Sequence, residues 1–293
     1  MTRAGIVTVV GKPNAGKSTL LNKIVGQKLA IVSPKPQSTR DRVVGIHTEG
    51  DVQMIILDTP GLLNPKYALQ RVMRVTALAA LHDADVLVYV VDSTDGVPEP
   101  LIVAASLSAP PRAPVITALN KADLLSPRDR SALAAAQPDA VFISAMAGEG
   151  IPQLLARTAS QLPPSPFLYP EEEVSTQTLR FFVAELIRET ALEQLGDEVP
   201  YSVACEIEEF REGKKPVYIR AVLHVERDSQ KRILIGAKGK RVRSIGQSAR
   251  LKIEAMVEES VFLDLWVKVL PNWRKNAHSL ARFGYHLQEE RQK

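Results

Sequence analysis

The chain has 293 residues, too many for most single hydrophobic cores, so we expect two domains. Its 45% hydrophobic and 24% charged residues are typical of a globular protein and exclude a disordered one, and no apolar run reaches the roughly 18 residues that span a bilayer. The net charge of +4 indicates nucleic-acid binding only weakly, and the single cysteine, which cannot form an internal disulfide, favours a reducing cytoplasm.

Short apolar runs alternate with helical stretches along residues 1–162. The strand-like runs are GIVTVV, VQMIILD, DVLVYVVD, PVITALN and AVFISA. This alternation predicts an α/β domain whose mostly parallel sheet is covered by helices on both faces. Gly50 and Asp51 separate two strand-like runs, so we expect one antiparallel hairpin at the edge of that sheet.

The composition changes at residues 163–175, which contain four prolines and three consecutive glutamates. We interpret this segment as a semi-rigid linker that neither continues a helix nor joins a sheet. Residues 176–293 then follow the order α-β-β-α-α-β-α, which predicts a second, smaller α+β domain.

The segment GKPNAGKS, residues 11–18, fits the pattern G-x-x-x-x-G-K-[ST] between a predicted strand and a predicted helix. In that context backbone N–H groups at the start of the helix bind phosphates, Lys17 reaches the β- and γ-phosphates, and the Ser18 hydroxyl binds Mg²⁺. A chance match to the pattern is the alternative. The predicted nucleotide-binding residues here are Gly11, Lys12, Pro13, Asn14, Ala15, Gly16, Lys17, Ser18 and Thr19.

The segment DTPGL, residues 58–62, is typical of a phosphate-sensing switch. Asp58 ends a predicted strand, where its carboxylate can complete the Mg²⁺ shell, and Gly61 can offer a backbone N–H to the γ-phosphate. Leu62 stands where many such switches have a glutamine that orients the attacking water, and a leucine side chain forms no hydrogen bond. All five residues are predicted to contact the nucleotide: Asp58, Thr59, Pro60, Gly61 and Leu62.

A polar loop, residues 33–42, lies between these two segments. A threonine in this position can complete the Mg²⁺ shell and sense the γ-phosphate. We expect Thr39 to do so, with Ser38 as the second choice and an ordinary polar loop as the alternative.

Two further segments predict recognition of guanine. In NKAD, the Asp123 carboxylate can accept from the ring N–H and the exocyclic amine of guanine, a donor pair that adenine lacks. A backbone N–H of Ser144 or Ala145, at the end of the next strand, can meet the guanine carbonyl. The predicted base-binding residues are Asn120, Lys121, Ala122, Asp123, Ser144 and Ala145.

The second domain concentrates its basic residues around one glycine pair. Residues 227–252 carry nine lysines or arginines against a single acidic residue, Asp228. Within them, Gly236-Ala237-Lys238-Gly239 joins two helical runs as in the G-x-x-G clamp that KH domains close on RNA phosphates. A solvated basic helix is the alternative. The predicted RNA-binding residues are Lys231, Arg232, Ile235, Gly236, Ala237, Lys238, Gly239, Lys240, Arg241, Arg243 and Arg250.

Apolar residues near the glycine pair are expected to support this surface from below. They are Ile233, Ile235, Val242 and Ile245. We interpret both tryptophans, Trp266 and Trp273, as packing residues rather than platforms for bases, although Trp273 can lie near RNA.

These segments resemble the Era family of bacterial ribosome-assembly GTPases, of the TrmE–Era–EngA class, over nearly the whole chain. PNAGKSTLLN, PQSTR, DTPG, NKAD and ISA are similar to the GTPase half of that family, and VPYS, GAKG and VKVLPNWR to its type II KH domain. Ser38 departs from the family, which more often has a second threonine there. The resemblance implies a protein that hydrolyses GTP to GDP with Mg²⁺ and binds the 3′ end of 16S rRNA in the small ribosomal subunit.

The resemblance also implies how hydrolysis proceeds without the glutamine. In several relatives a potassium ion lies against the phosphates and is held partly by an asparagine of the phosphate-binding loop (P-loop, residues 11–18 here), which matches Asn14. Potassium is a hypothesis here, and a simple turn role for Asn14 is the alternative. The predicted catalytic residues are Asn14, Lys17, Thr39, Asp58 and Gly61.

We further expect a cytoplasmic monomer that does not bind DNA and has at most peripheral contact with the inner membrane. Two other functions stay open. One is a GTPase that supports RNA modification, and the other is a structural RNA clamp with a vestigial nucleotide site. The intact Lys17, Ser18, Asp58 and Asp123 argue against the second of these.

Overall fold

The computed structural model describes residues 1–196, 199–213 and 215–285. The chain forms two compact units. The first contains Met1–Pro65 and Met73–Thr176, and the second contains Lys66–Val72 and the chain from Gln177 onward. Among the described residues, no helix is both long and apolar enough to cross a membrane.

The first unit is a six-stranded sheet with helices on both faces, as the α/β pattern predicts. Its strands are β1 (Arg3–Val10), β2 (Val43–Glu49), β3 (Val52–Asp58), β4 (Val86–Asp92), β5 (Val115–Asn120) and β6 (Val141–Phe142). Its helices are α1 (Lys17–Val25), α2 (Ala68–His82), which begins in the second unit, α3 (Leu101–Ala104), α4 (Pro127–Ala136) and α5 (Ile151–Gln161). The strand order is β2-β3-β1-β4-β5-β6, and every neighbouring pair is parallel except β2 with β3, the predicted hairpin.

The parallel register brings the predicted nucleotide-binding segments to one edge of the sheet. Val9, near the end of β1, pairs with Asp58 at the end of β3. Asp92 and Asn120 pair at the ends of β4 and β5. Loops that follow the carboxyl ends of parallel strands meet outside that edge, which is where open α/β sheets bind ligands.

The proline-rich segment joins the sheet, contrary to the expectation from its composition. Pro164 forms an antiparallel bridge with Arg3, and the Ile46 N–H of the edge strand β2 donates to the Val174 carbonyl at 2.9 Å. The edge strand offers unpaired backbone groups, and an extended proline-rich chain can still accept hydrogen bonds through its carbonyls.

Gln53 holds the middle of this segment. Its fully buried side chain accepts from the N–H groups of Leu168 (2.8 Å) and Tyr169 (3.0 Å) and donates to the Tyr169 carbonyl (2.9 Å) and the Thr48 hydroxyl (3.1 Å). One glutamine therefore fixes the path of two consecutive residues of the segment.

The second unit has the predicted order α-β-β-α-α-β-α. Its elements are α6 (Leu179–Gln194), β7 (Ala204–Arg211), β8 (Val217–Val225), α7 (Asp228–Ile235), α8 (Lys240–Val257), β9 (Val261–Val269) and α9 (Ala277–Arg282). The sheet order is β7-β8-β9, with β7 antiparallel and β9 parallel to the central β8. Side chains of α6, α7 and α8 pack on one face of this sheet around Ile187, Ile219, Leu234 and Ile245.

Two expectations about apolar residues in this unit are wrong. Ile233 is 42% exposed, whereas its neighbour Leu234 is buried in the core. Trp266 is 54% exposed on β9 and so does not pack, while Trp273 is fully buried and donates its indole N–H to the Ser202 carbonyl at 2.8 Å.

The segment Lys66–Val72 is part of the second unit although α2 continues into the first. The Leu69 N–H donates to the Arg274 carbonyl at 2.9 Å, and the Arg274 guanidinium lies 5.1 Å from the centre of the Tyr67 ring. The same guanidinium donates to Glu226 at 3.0 Å. The second unit is therefore built from two separate stretches of the chain.

Replacing Gln53 tests the attachment of the proline-rich segment. Gln53→Ala leaves two N–H groups and a carbonyl without their partner, so we expect the free energy of unfolding to fall by about 1–3 kcal/mol. Limited proteolysis should also cut faster within residues 163–175. Thr48→Val, which removes one of the four bonds, is the control and should lose less. Equal protease resistance of Gln53→Ala and wild type would contradict the attachment.

Candidate functional site

The loop between β1 and α1 forms an anion site at the start of a helix. Gly16 has a left-handed φ of 93°, and a Cβ there would lie 2.1 Å from the Asn120 side-chain nitrogen. In the described part of the chain no side chain caps α1, and its first turn, KSTL, contains no acidic residue. The free N–H groups and the positive end of the helix dipole therefore face the loop, as phosphate binding requires.

Lys17 lies inside this loop rather than in solvent. Its side chain is buried and donates to the Lys12 carbonyl at 2.9 Å. Burial lowers the pKa of its ammonium group to about 8, and the nearby Asp58 charge opposes that shift only in part. A phosphate would supply the missing negative charge.

Three oxygen-bearing side chains meet beside Lys17. The Ser18 hydroxyl donates to Asp58 Oδ2 at 2.6 Å and lies 2.9 Å from the Thr39 hydroxyl. Asp58 is fully buried, and its Oδ1 has no hydrogen-bond partner in the described part of the chain. Burial raises the pKa of the Asp58 carboxyl to about 6, opposed by the charge of Lys17 and the hydrogen bond from Ser18. An all-oxygen set with an unsatisfied carboxylate oxygen fits Mg²⁺, which prefers such ligands.

Thr39 rather than Ser38 reaches this oxygen cluster, although both line the adjoining cavity. The cavity has a volume of about 410 Å³. Its lining includes these predicted residues: Pro13, Asn14, Gly16, Lys17, Ser18, Thr19, Thr39, Gly61 and Lys121. It also includes residues that the sequence analysis missed: Ile31, Val32, Ser33, Pro34, Gln37 and Met146. Most of these residues lie in loops, where no hydrophobic periodicity marks a residue as part of the site.

The switch segment contributes through its backbone. A Cβ on Gly61 would lie 2.7 Å from the Pro13 nitrogen, so only glycine fits against the P-loop. The Leu62 N–H donates to the Gly11 carbonyl at 3.0 Å, while its side chain is buried in the core beside Tyr89. The Thr59 hydroxyl donates to the Val9 carbonyl, and Pro60 is buried. The Leu62 and Thr59 side chains therefore point away from the phosphates.

Lys12 and Ala15 lie on the other side of the P-loop. They line a second cavity of about 500 Å³, and the exposed Lys12 ammonium forms an ion pair with Glu99 at 2.7 Å. The Lys12 side chain is thus directed away from Lys17, although its carbonyl binds the Lys17 ammonium.

Asn120 connects three loops at the other end of the cavity. Its side-chain nitrogen donates to the Ala15 carbonyl at 2.8 Å, and its side-chain oxygen accepts from the Ala145 N–H at 2.9 Å. Lys121 has a left-handed φ of 63° and pairs with Asp92, while Asp123 is exposed and the adjacent Ala122 is buried. Asn120 therefore joins the P-loop to the loop after β6.

The Ser144 and Ala145 N–H groups both have partners within the chain in this structure. The Ala145 N–H binds Asn120, and the Ser144 N–H donates to the Glu149 carbonyl at 2.9 Å. The contact of either group with a guanine carbonyl stays a prediction. The next residue, Met146, lines the cavity instead.

The G-x-x-G segment of the second unit is a left-handed turn that opens onto α8. Gly236, Lys238 and Gly239 have φ values of 71°, 50° and 74°, and a Cβ on Gly236 would lie 2.8 Å from Arg241 Cβ. Among the described residues no side chain caps α8, and its first turn, KRVR, is strongly basic. This arrangement favours an anion at the start of α8.

A groove of about 350 Å³ runs from this turn between α8 and β9. Its lining is Gly239, Val242, Arg243, Gly246, Gln247, Arg250, Leu263 and Leu265. Arg250 also donates to Glu254 at 3.2 Å. The predicted Lys231, Arg232, Gly236, Ala237, Lys238, Lys240 and Arg241 lie outside the lining, and Ile235 packs against the core. Lys252, one of the nine basic residues, instead pairs with Glu189 and Glu193 of α6.

Family models match both units. The model described as "50S ribosome-binding GTPase" covers residues 6–121, and that described as "KH domain" covers residues 198–274. GTPase Era of Ectopseudomonas mendocina is 44% identical over 97% of this chain and 98% of its own length. The chain belongs to the Era family.

Other Era proteins are similar to this chain to a comparable extent. GTPase Era of Azotobacter vinelandii is 45% identical over 97% of both chains. Two solved Era structures each match with a TM-score of 0.91 and 36% identity, over 98% of this chain and all of theirs. One is an Aquifex aeolicus Era variant bound to GDP–AlF4⁻, and the other is Era with MgGDPNP and nucleotides 1506–1542 of 16S ribosomal RNA. Like other members of the Era family, this chain is a GTPase with a C-terminal KH domain.

The buried carboxyl of Asp58 predicts a pH-dependent stability of the nucleotide-free protein. Because its pKa is raised from 3.8 to about 6 in the folded chain, the Asp58 carboxyl favours folding when it is protonated. This contribution to the free energy of unfolding is fully present below the unfolded pKa and is lost as the pH rises through about 6. Relative to wild type, Asp58→Asn should therefore gain stability by about 3 kcal/mol between roughly pH 4 and pH 7. Urea unfolding of both proteins across this range measures the difference, and a constant difference would contradict the shift.

Proposed function

We propose that this chain is a GTP-switched, RNA-binding factor that acts on the 3′ region of 16S rRNA during assembly of the small ribosomal subunit. The observation that carries the proposal is the presence, in one chain, of the Ser18–Thr39–Asp58 oxygen cluster beside a helix start and of a KH groove behind a G-x-x-G turn. The solved Era complex with MgGDPNP and 16S nucleotides supports both ligands.

The first site binds and orients the triphosphate. The N–H groups at the start of α1 and the Lys17 ammonium receive the phosphates, and Gly61 lies close enough to Pro13 to offer its N–H to the γ-phosphate. Ser18, Thr39 and Asp58 would hold Mg²⁺, which supplies neutralisation of the charge that develops on the phosphates. Asp123 would select guanine, with Asn120 and Lys121 fixing the loops around the base.

The buried Leu62 leaves orientation of the attacking water to backbone groups of the switch. A further positive charge to stabilise the phosphates during transfer would then have to come from a bound cation, and Asn14 is placed to help hold it. It has a left-handed φ of 63°, lines the phosphate cavity and donates to the Pro34 carbonyl at 2.9 Å. Asn14 and the Pro34 carbonyl that it contacts would form part of the oxygen-bearing side of a potassium site.

The second site would hold about four nucleotides of single-stranded RNA. Phosphates would lie at the G-x-x-G turn and the basic start of α8, and bases would enter the groove against Leu263 and Leu265. If the GTP-bound form binds RNA more tightly, RNA must strengthen GTP binding by the same factor. The oxygen cluster is complete, which disfavours a vestigial nucleotide site.

We also propose residues 1–162 as the GTPase domain and 176–293 as the KH domain, joined by a linker, residues 163–175, that is bound to the sheet of the first unit. The two family models lie on either side of the linker, which supports the division. The protein would work as a cytoplasmic monomer on the small subunit, with no DNA target and at most peripheral contact with the inner membrane.

Separate variants of the two sites test the proposal in the full chain. Lys17→Ala removes the buried ammonium, so GTP turnover should fall at least about 100-fold while nucleotide-free affinity for 16S nucleotides 1506–1542 stays unchanged. Gly236→Asp with Gly239→Asp should weaken RNA binding and leave basal turnover intact. Leu179→Asp, at an exposed position of α6, controls for added charge. Full RNA affinity of the glycine variant would place the RNA on another surface.

Turnover in potassium and in sodium tests the role of Asn14. We expect faster hydrolysis by wild type in potassium, because the larger ion is held against the phosphates, and equal rates in the two salts for Asn14→Ala. GTP affinity of the variant, measured in sodium, serves as the control for an intact site. Equal wild-type rates in both salts would remove potassium from the mechanism.

A further inference from the structure

The KH sheet has an outer face, opposite α6, α7 and α8, that carries two exposed aromatic rings. Alternation along β8 and β9 places Val217, Ile219, Val261 and Val267 in the core. The residues in the opposite phase form the outer face: Tyr218, Arg220, Val222 and His224 on β8, with Phe262, Asp264, Trp266 and Lys268 on β9. Phe262 is 55% exposed and Trp266 is 54% exposed. Both rings therefore present flat aromatic faces to solvent.

Phe262 ends a row of stacked side chains that crosses the sheet. Arg211, Tyr218 and Phe262 are register partners on β7, β8 and β9. The Arg211 guanidinium lies 4.9 Å from the centre of the Tyr218 ring, and the Phe262 ring is stacked on Tyr218 with centres 5.8 Å apart at 11°. Since β9 is the edge strand, the row ends in the exposed ring of Phe262. A flat ring can extend this stack.

The chemistry between the two aromatic rings favours nucleobases over an apolar protein surface. Asp264 separates Phe262 from Trp266 and is bound by Arg220 at 3.0 Å, so the rings do not form a continuous apolar patch. Isolated aromatic faces beside polar groups are typical of single-strand binding, where bases stack on rings and hydrogen-bond at their edges.

Attraction for phosphate contributes little on this face. Arg211 is paired with Glu209 at 2.5 Å, and Lys268 with Glu208 at 2.6 Å. Stacking, rather than release of counterions from phosphates, would therefore supply the affinity.

The outer face is continuous with the proposed RNA groove. Leu263 and Leu265 of β9 line the groove, and Phe262 and Trp266 alternate with them on the opposite face of the same edge strand. Helix α9 lies against the far end, where Phe283 contacts His224 with ring centres 5.2 Å apart. A strand of RNA that leaves the groove at the edge of β9 thus meets the two exposed rings next.

We propose that single-stranded RNA leaving the KH groove turns around the edge of β9 and stacks bases on Phe262 and Trp266. This inference rests on the proposed function, because it extends the RNA path beyond the groove. It makes the outer face a sequence-tolerant second contact, which adds affinity for RNA longer than the groove alone holds.

Tryptophan fluorescence and binding of nested RNAs test this in the full chain. The probes are single-stranded RNAs from the 3′ end of 16S rRNA, from four to about twelve nucleotides long. Long RNAs should quench the fluorescence of Trp266, because Trp273 is buried and bonded to Ser202. Trp266→Ala with Phe262→Ala should weaken binding of long RNA by roughly 5- to 100-fold, leave binding of the tetranucleotide unchanged, and leave the salt dependence unchanged.

Two further variants make the result specific. Trp266→Phe should lose the quenching yet keep most of the affinity, because a ring remains. Leu251→Ala removes an equally exposed apolar side chain on α8 that does not line the groove, and should have no effect. Full affinity of the double variant for long RNA, without quenching in wild type, would overturn the second contact. Failure of every RNA to bind wild type would instead refute the proposed function.

Discussion

The nucleotide site depends on two opposite charges that the fold buries together. Burial lowers the pKa of Lys17 and raises that of Asp58, so each group is less stable in its charged form than in water. Their mutual attraction offsets only part of that cost. Phosphate beside the lysine and a divalent cation beside the carboxylate would complete the compensation. The surrounding contacts keep this arrangement in place, since Asn120 ties the P-loop to a neighbouring loop and Gly61 lies against Pro13.

The two units share one local arrangement that favours an anion at the start of a helix, but its surroundings differ between them. Each places a left-handed glycine immediately before a helix that has no side-chain cap, Gly16 before α1 and Gly239 before α8. In the first unit the lysine that follows the glycine, Lys17, is buried, which suits a compact triphosphate held away from water. In the second unit the lysine that follows the glycine, Lys240, is exposed, which suits a long polymer that lies along a surface.

The sequence predicted the site residues that belong to contiguous motifs. It missed the hydrogen bonds that depend on packing between segments far apart in the chain. Lys17, Ser18 and Asp58 could be placed because parallel strands end at one edge, and the hairpin at Gly50 followed from its turn residues. The sequence contains no indication that the Ala145 N–H binds Asn120 or that Gln53 captures the proline-rich segment, because both bonds join loops far apart in the chain. Trp266 did leave a signal, since it is in phase with Asp264 and Lys268 rather than with the buried Val261 and Val267.

The short stretch Lys66–Val72 has a consequence for how the protein can be divided. A single cut in the proline-rich segment would separate the chain into two pieces, yet the N-terminal piece would still carry residues that complete the second unit. The Arg274 carbonyl and guanidinium would keep their partners Leu69 and Tyr67 only while both pieces stay together. Residues on both sides of the proline-rich segment are therefore needed to build the second unit in full.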